Sequence, residues 1–347
     1  MARIVVLTSH PPFAEGGHLV IAHGLVEALR SAGHHAMVAL TPQNRFGRQT
    51  SAYLATWLTD MGISYDGKPI DQVISLRYPS YAIRHPNHVC WLNHRMREYY
   101  DQWESFRERL SWKALLKERV RRSLVHAVDR QLLTRNVHRL FAQSKTIQAR
   151  LVRWGKIRSE VLYPPPPSRR YHCDSFGDYL FVVSRLTALK RVDLVIEALR
   201  RPEAAGIHCV IAGDGEFRSV LTEKVLTYGL SDRVKLVGLI TDDELVNHLG
   251  RCRAVCFPPY SEDYGLVTVE AFASRKPVIT CVDSGGPAEL VIDHENGLVC
   301  EPAAESLALA MRTLMDDRDM AEQMGEVGHR RVSEMTWQRT LEKLVVV

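Results

Sequence analysis

No apolar run in this chain approaches the roughly 20 residues needed to cross a bilayer. Residues 1–8 hold too short an apolar core for a signal peptide and read better as a buried first strand. Seven cysteines are present, an odd number, with no Cys-x-x-Cys pair among them. Cys252 and Cys256 sit in or beside an apolar run and read as packing residues, so reduced thiols in a cytoplasmic protein are the simplest account. There is no G-x-x-x-x-G-K-S/T loop and no G-x-G-x-x-G after the first strand, which argues against an NTPase or a dinucleotide dehydrogenase. Zinc-finger spacing and RNP-type motifs are also missing, so nucleic acid is not an expected partner. Asp317-Arg-Asp319 has the carboxylate spacing of a metal–diphosphate clamp, but it falls in a polar helical pattern far from any strand end. No required metal is expected.

What remains is an ordinary globular composition, 46% hydrophobic and 24% charged, in 347 residues, enough for about two domains with their own cores. The net charge of +5 hides an asymmetry. Residues 95–158 carry 17 Lys or Arg against 6 Asp or Glu, a balance of +11 that leaves −6 for the rest. Inside that stretch, residues 112–125 repeat apolar side chains at helical spacing with basic residues opposite. This fits a membrane-surface helix, a binder of acidic ligands, or the solvated face of an ordinary domain helix.

The first half opens with a strand at 3–8, a loop through Pro11, Pro12, Gly16 and Gly17, a helix at 19–32 and a strand at 35–40. Short apolar segments follow at 73–76, 89–92 and 140–142. The four prolines of Tyr163-Pro-Pro-Pro-Pro-Ser-Arg-Arg170 can continue neither a helix nor a central strand. After them strands are expected at 179–183, 208–212, 234–237, 254–257 and 277–280, with helices between. The alternation predicts an α/β fold of two doubly wound Rossmann-like domains facing a cleft, divided as 1–165 and 166–335, with 336–347 a terminal helix.

In such sheets ligands bind beyond the carboxyl ends of the strands. Glu262 lies just past one such end. Glu270, eight residues on, falls in a helix opening at Gly265, about 40° from Leu266 and 60° from Ala273. A carboxylate beside an apolar stripe needs a bonding partner, and a helix N-terminus attracts phosphate. Arg185 and Lys190 share the loop after 179–183; a planar fork and a compact charge together suit a diphosphate. Glycine at Gly16-Gly17 lets backbone approach a ligand, although a simple turn explains it equally. The same holds for Asp283-Ser-Gly-Gly-Pro-Ala-Glu289. His94 ends the segment Val89-Cys-Trp-Leu-Asn-His at a strand's carboxyl edge.

Assembled, Arg185-Leu-x-x-x-Lys190, Gly213-Asp-Gly215, Glu262-x7-Glu270 and Gly285-Gly-Pro-Ala-Glu289 occur in the order seen in the family 4 (group 1) glycosyltransferases, which this chain resembles. Glu15-Gly-Gly17, His94 and Ser144 match the N-terminal half of that pattern. The resemblance implies a GT-B fold and transfer of a sugar from a nucleotide-sugar donor to an acceptor hydroxyl on a glycan, glycolipid or small molecule. It implies retention of configuration without a metal or other cofactor. By the same resemblance Arg185 and Lys190 would neutralise the leaving diphosphate, and Glu262 would hold the sugar hydroxyls. Amides of Gly265, Leu266 and Val267 would support sugar and phosphate, and Glu270 would bind the ribose. His94 would lie beside the sugar ring and Gly17 beside the phosphate, with backbone near Leu239 meeting the base. Residues 336–344 would be the family's C-terminal helix, returning to the first domain. Tyr264 stands where the family more often has Phe after Gly.

Two other functions fit the same residues: a nucleotide-sugar epimerase or hydrolase of this fold, or a non-catalytic, membrane-associated sugar-nucleotide binder. The expected location is the cytoplasm, or the inner face of the membrane through region 95–158.

Overall fold

Ile4, Val5, Val6 and Leu7 are all buried, because the strand that carries them is covered on both faces. That strand, β1 (Arg3–His10), opens a computed structural model that describes residues 1–10, 16–42 and 46–347. The loop reading for Pro11, Pro12 and Glu15 lies outside the described residues. The chain divides into two compact units, Met1–Pro164 with Thr336–Val347, and Pro165–Met335.

In the first unit the elements after β1 are α1 (Gly17–Ser31), β2 (His35–Pro42), α2 (Gln49–Leu58), β3 (Gln72–Ser75), β4 (His88–Leu92), α3 (Trp103–Arg107), α4 (Trp112–Gln131), β5 (Arg139–Ala142), α5 (Lys145–Gly155) and β6 (Glu160–Val161). Among the described residues the strands form one parallel sheet, β2-β1-β3-β4-β5-β6. The chain leaves β1 for β2 on one side and returns to β3 on the other, so the topological switch point lies between β1 and β3.

The second unit runs β7 (Tyr179–Val183), α6 (Val192–Arg200), β8 (His208–Ala212), α7 (Arg218–Thr227), β9 (Val234–Gly238), α8 (Asp242–Arg251), β10 (Ala254–Cys256), α9 (Leu266–Ala273), β11 (Val278–Cys281), α10 (Gly286–Leu290), β12 (Gly297–Cys300), α11 (Ala304–Asp316) and α12 (Arg318–Ser333). Its parallel sheet has the order β12-β11-β10-β7-β8-β9. Here the switch point falls between β7 and β10. The final helix, α13 (Trp337–Leu344), belongs to the first unit. The Gln72 side chain donates to Leu344 O at 2.6 Å and accepts from Val346 N at 3.1 Å, and the Trp337 ring meets Trp91 edge-on.

Local chemistry explains several boundaries. Thr241 and Glu244 cap α8 reciprocally, each side chain bonding the other's backbone N–H. Asp317 accepts from Met320 N at 2.8 Å and so starts α12; the clamp-like Asp317-Arg-Asp319 spans a break between two helices, not the interior of one. Elements that the sequence pattern does not announce include the helices α2, α5 and α11 and the edge strands β6 and β12, which are two and four residues long.

The basic helix α4 departs most from the pattern. Its buried face holds Glu118 and Asp129 beside Val125. Tyr99 donates to Glu118 Oε2 at 2.6 Å; Tyr53, Tyr81 and Tyr100 all donate to Asp129, the last two at 2.5 and 2.7 Å. Burial pushes the Asp129 carboxyl above the usual range while the Arg95 charge and the phenol donors pull it down. Once these donors satisfy the carboxylates, the helix can turn acidic residues inward and apolar ones outward.

Candidate functional site

The loops that leave β7 and β10 flank the switch point of the second unit, and they carry the predicted residues. Lys190 ends a short 3-10 turn, Ala188–Lys190, after β7, and its Nζ donates to Glu262 Oε2 at 2.7 Å. Both side chains are about four-fifths covered, at 20% exposure each, so the pair sits in a partly desolvated place where charge-assisted bonds are strong. Lys190 Nζ also lies 5.4 Å from the centre of the Phe257 ring. Arg185 is exposed at the β7 end of the same loop. Leu239, 79% exposed, follows β9 on the same carboxyl edge of the sheet.

The loop past β10 is held by backbone. Ser261 N and Glu262 N donate to Asp283 O and Ser284 O at 2.9 Å, and Gly286 N donates to Glu262 O at 3.0 Å. Gly285 has φ 71°, and a Cβ there would stand 2.4 Å from Glu262 O, so only glycine lets the two loops join this closely. Gly265, at φ 84°, is the N-cap of α9 and would bring a Cβ within 2.8 Å of the Pro287 ring. Leu266 and Val267 form the first turn of α9, where backbone amides have no intrahelical acceptor.

Glu270 is 6% exposed, one turn into α9. Arg169 Nη1 donates to its Oε1, and Tyr171 Oη approaches the same oxygen at 3.4 Å. Arg169 Nη2 donates to Asp242 at 2.9 Å. Burial raises the Glu270 carboxyl above its usual range, and the Arg169 charge opposes that shift. Arg169 follows the proline run, which by sequence reads only as a connector; the signal was the Arg-Arg-Tyr that ends it.

Arg191, beside Lys190, also escaped the pattern. It bonds Asp283 through two parallel contacts of 2.9 and 2.6 Å, and it donates to the carbonyls of Pro258 and Pro259 at 2.8 Å. One guanidinium thus ties the loops past β7, β10 and β11 together. The Gly213-Asp-Gly215 loop is fixed likewise: Leu186 N donates to Asp214 O and Ser184 N to Ala212 O.

In the first unit, Gly17 opens α1 after β1, and His94 follows β4 with its Nδ1 2.6 Å from Arg95 O. Ser144 caps α5 by accepting from Ile147 N. His18, in the first turn of α1, is drawn down to about 3 by burial, then by the neighbouring Arg77, His94 and His10. The rings of His10 and His18 are 6.3 Å apart. Sequence gave no reason to join these four basic residues, because three strand ends supply them. Among the described residues no group of His, Cys, Asp and Glu could hold a metal ion.

Residues 175–331 match the family described as "Glycosyl transferases group 1". An uncharacterized glycosyltransferase of Methanocaldococcus jannaschii is 28% identical over 209 residues, covering 59% of this chain and 58% of that protein. The alpha-D-kanosaminyltransferase of Streptomyces kanamyceticus is 32% identical over 160 residues, 45% of this chain and 41% of that one. The chain spans about half the length of these curated relatives. Among solved structures, sucrose-phosphate synthase from Thermosynechococcus elongatus superposes with a TM-score of 0.78 at 19% identity, covering 99% of this chain and 97% of that one. Anabaena Alr3699/HepE, solved with UDP and glucose, gives 0.70 at 17% identity over 98% and 99%. These likenesses give the chain the GT-B fold. The family match falls within the second unit, whose sequence is similar to the group 1 glycosyltransferases.

Proposed function

We propose that this protein is a glycosyltransferase that moves a sugar from a nucleotide-sugar donor to an acceptor hydroxyl with retention and without a metal. The observation that carries the reading is the Lys190–Glu262 pair at the switch point of the second unit, with the α9 N-terminus in the same loop. Lys190 and Arg185 supply cationic charge to the diphosphate as its bond to the anomeric carbon breaks. Glu262 accepts from the sugar hydroxyls, and amides of Gly265, Leu266 and Val267 face sugar and phosphate. Glu270 accepts from the ribose, Arg169 fixing its carboxylate; backbone at Leu239 meets the base. His94 and Gly17 are the first-unit residues that the resemblance assigns to the sugar ring and the phosphate. The acceptor oxygen bonds to the anomeric carbon on the face the diphosphate leaves, and its proton passes to the departing β-phosphate oxygen. No side chain is then required as general base.

UDP-sugars are the first donors to try, since the HepE structure holds UDP and glucose. The acceptor is a glycan, a lipid-linked molecule or a small molecule; the basic region 95–158 would favour a lipid-linked one at a membrane. Seven free cysteines support a reducing, cytoplasmic setting. The test is a thermal-shift screen against UDP-, GDP-, ADP- and TDP-sugars, then mass analysis of the stabilising donor with and without acceptors. A glycosylated acceptor is expected. Donor converted equally well with no acceptor would replace transfer by hydrolysis or epimerisation, and binding without turnover would make the protein a binder.

A further inference from the structure

Helix α4 leaves most of its large apolar side chains outside. Its inward face carries Val125 beside Glu118 and Asp129, with Leu115 partly covered, and its outer face carries Trp112, Leu116, Val120, Leu124 and Val128. These five stand one every fourth residue, and their exposure runs from 39% at Val128 to 73% at Trp112. Leu116 and Val120 each lie two residues, about 200° around the helix, from Glu118, so they point away from the unit's interior. Single exposed apolar side chains are ordinary; five in a row along a 20-residue helix form a surface that needs an occupant.

The charges around the stripe say which. Lys113, Lys117, Arg119 and Arg130 are exposed on the same helix. Lys117 falls about 60° to one side of the stripe's centre at Val120 and Arg119 about 100° to the other, so cations stand on both flanks. A second copy of this chain laid symmetrically on the face would bring those cations against themselves, which repels. An anionic lipid surface instead accepts the apolar stripe among its acyl chains and the flanking cations at its headgroups. Trp112, at the end of the stripe, has the amphipathic indole that settles at such a boundary. No helix among the described residues is long and apolar enough to cross a membrane, so this contact would lie on the surface.

We propose that the outer face of α4 docks flat on an anionic lipid bilayer, through Trp112, Leu116, Val120, Leu124 and Val128 with Lys113, Lys117, Arg119 and Arg130 at the headgroups. The docking stands whether or not the donor-site reading holds, because it uses none of that site's residues.

The test is co-sedimentation of the full chain with vesicles of phosphatidylcholine alone or with about 30% phosphatidylglycerol. Binding is expected only to the anionic vesicles, and weaker at high salt. The Leu116→Ser/Leu124→Ser variant should lose roughly tenfold or more in partitioning, since it removes apolar area that the bilayer would bury. Lys113→Gln/Lys117→Gln should lose binding while keeping the apolar stripe. All four positions are exposed, so unchanged melting temperatures are expected and separate docking from folding. Equal binding to neutral vesicles, or variants that bind like the parent, would overturn the proposal. So would a chain that ignores both vesicles but sediments as a dimer dispersed by the Leu116→Ser/Leu124→Ser change.

Discussion

Lys190 Nζ and Glu262 Oε2 are joined by a 2.7 Å ion pair across loops 72 residues apart in sequence. The two residues assigned to opposite ends of a donor, the diphosphate and the sugar, therefore neutralise each other, and removing either leaves the other's charge half-buried.

That pairing sets the first prediction. Lys190→Ala and Glu262→Gln should each weaken nucleotide-sugar binding by about 2–4 kcal/mol, and the double variant should lose less than the sum. Calorimetric titration of the four proteins measures the coupling. Additive losses would mean that the two side chains meet the donor independently.

Arg169 supplies the second. Removing it leaves Glu270 buried in α9 without its countercharge, so Arg169→Ala should destabilise the protein by about 3–5 kcal/mol. Arg169→Ala/Glu270→Gln should recover part of that loss, since an amide costs less to bury than an uncompensated carboxylate. Denaturant unfolding followed by tryptophan fluorescence compares the two; equal losses would show that the Glu270 charge is not the reason.

The third concerns acid. His88 is buried in β4, its Nε2 2.8 Å from Ser75 Oγ and its Nδ1 3.1 Å from Asn136 O, and burial lowers it from 6.5 to about 4. The unfolded imidazole takes up a proton below about pH 6.5 and the folded one only below about 4, so the native state binds fewer protons between them. Stability present above pH 6.5 is therefore lost as pH falls toward 4, by about 3 kcal/mol for this one group. His18, drawn down to about 3 for the same leading reason, adds a loss of the same sign that solvent screens in part. His88→Gln should flatten the acid limb of a melting-temperature profile while lowering its plateau. A profile unchanged by the substitution would remove His88 as the cause.

The strand–helix alternation was legible because strands such as β7 and β8 are short apolar runs bounded by loops, and that periodicity is a property of neighbouring residues. The short edge strands β6 and β12 were not, since a few residues with one neighbour carry little periodic signal. Glu262 and Glu270 stand out as candidates by their spacing and by the rule that sheets bind ligands at strand ends. Arg169 and Arg191 were not, because each acts on a residue about 90–100 positions away, Glu270 and Asp283.

The sequence by itself determined the main alternation of strands and helices, the strand ends that carry Arg185, Lys190 and Glu262, and the glycine that opens α9. All of these follow from local pattern and backbone sterics. Only the tertiary structure decided that Lys190 meets Glu262, that Arg169 closes over Glu270, and that α4 shows most of its large apolar residues to the outside. Periodicity tells which side chains share a face of a helix; which face is buried depends on partners elsewhere in the chain, here the tyrosines that satisfy Glu118 and Asp129.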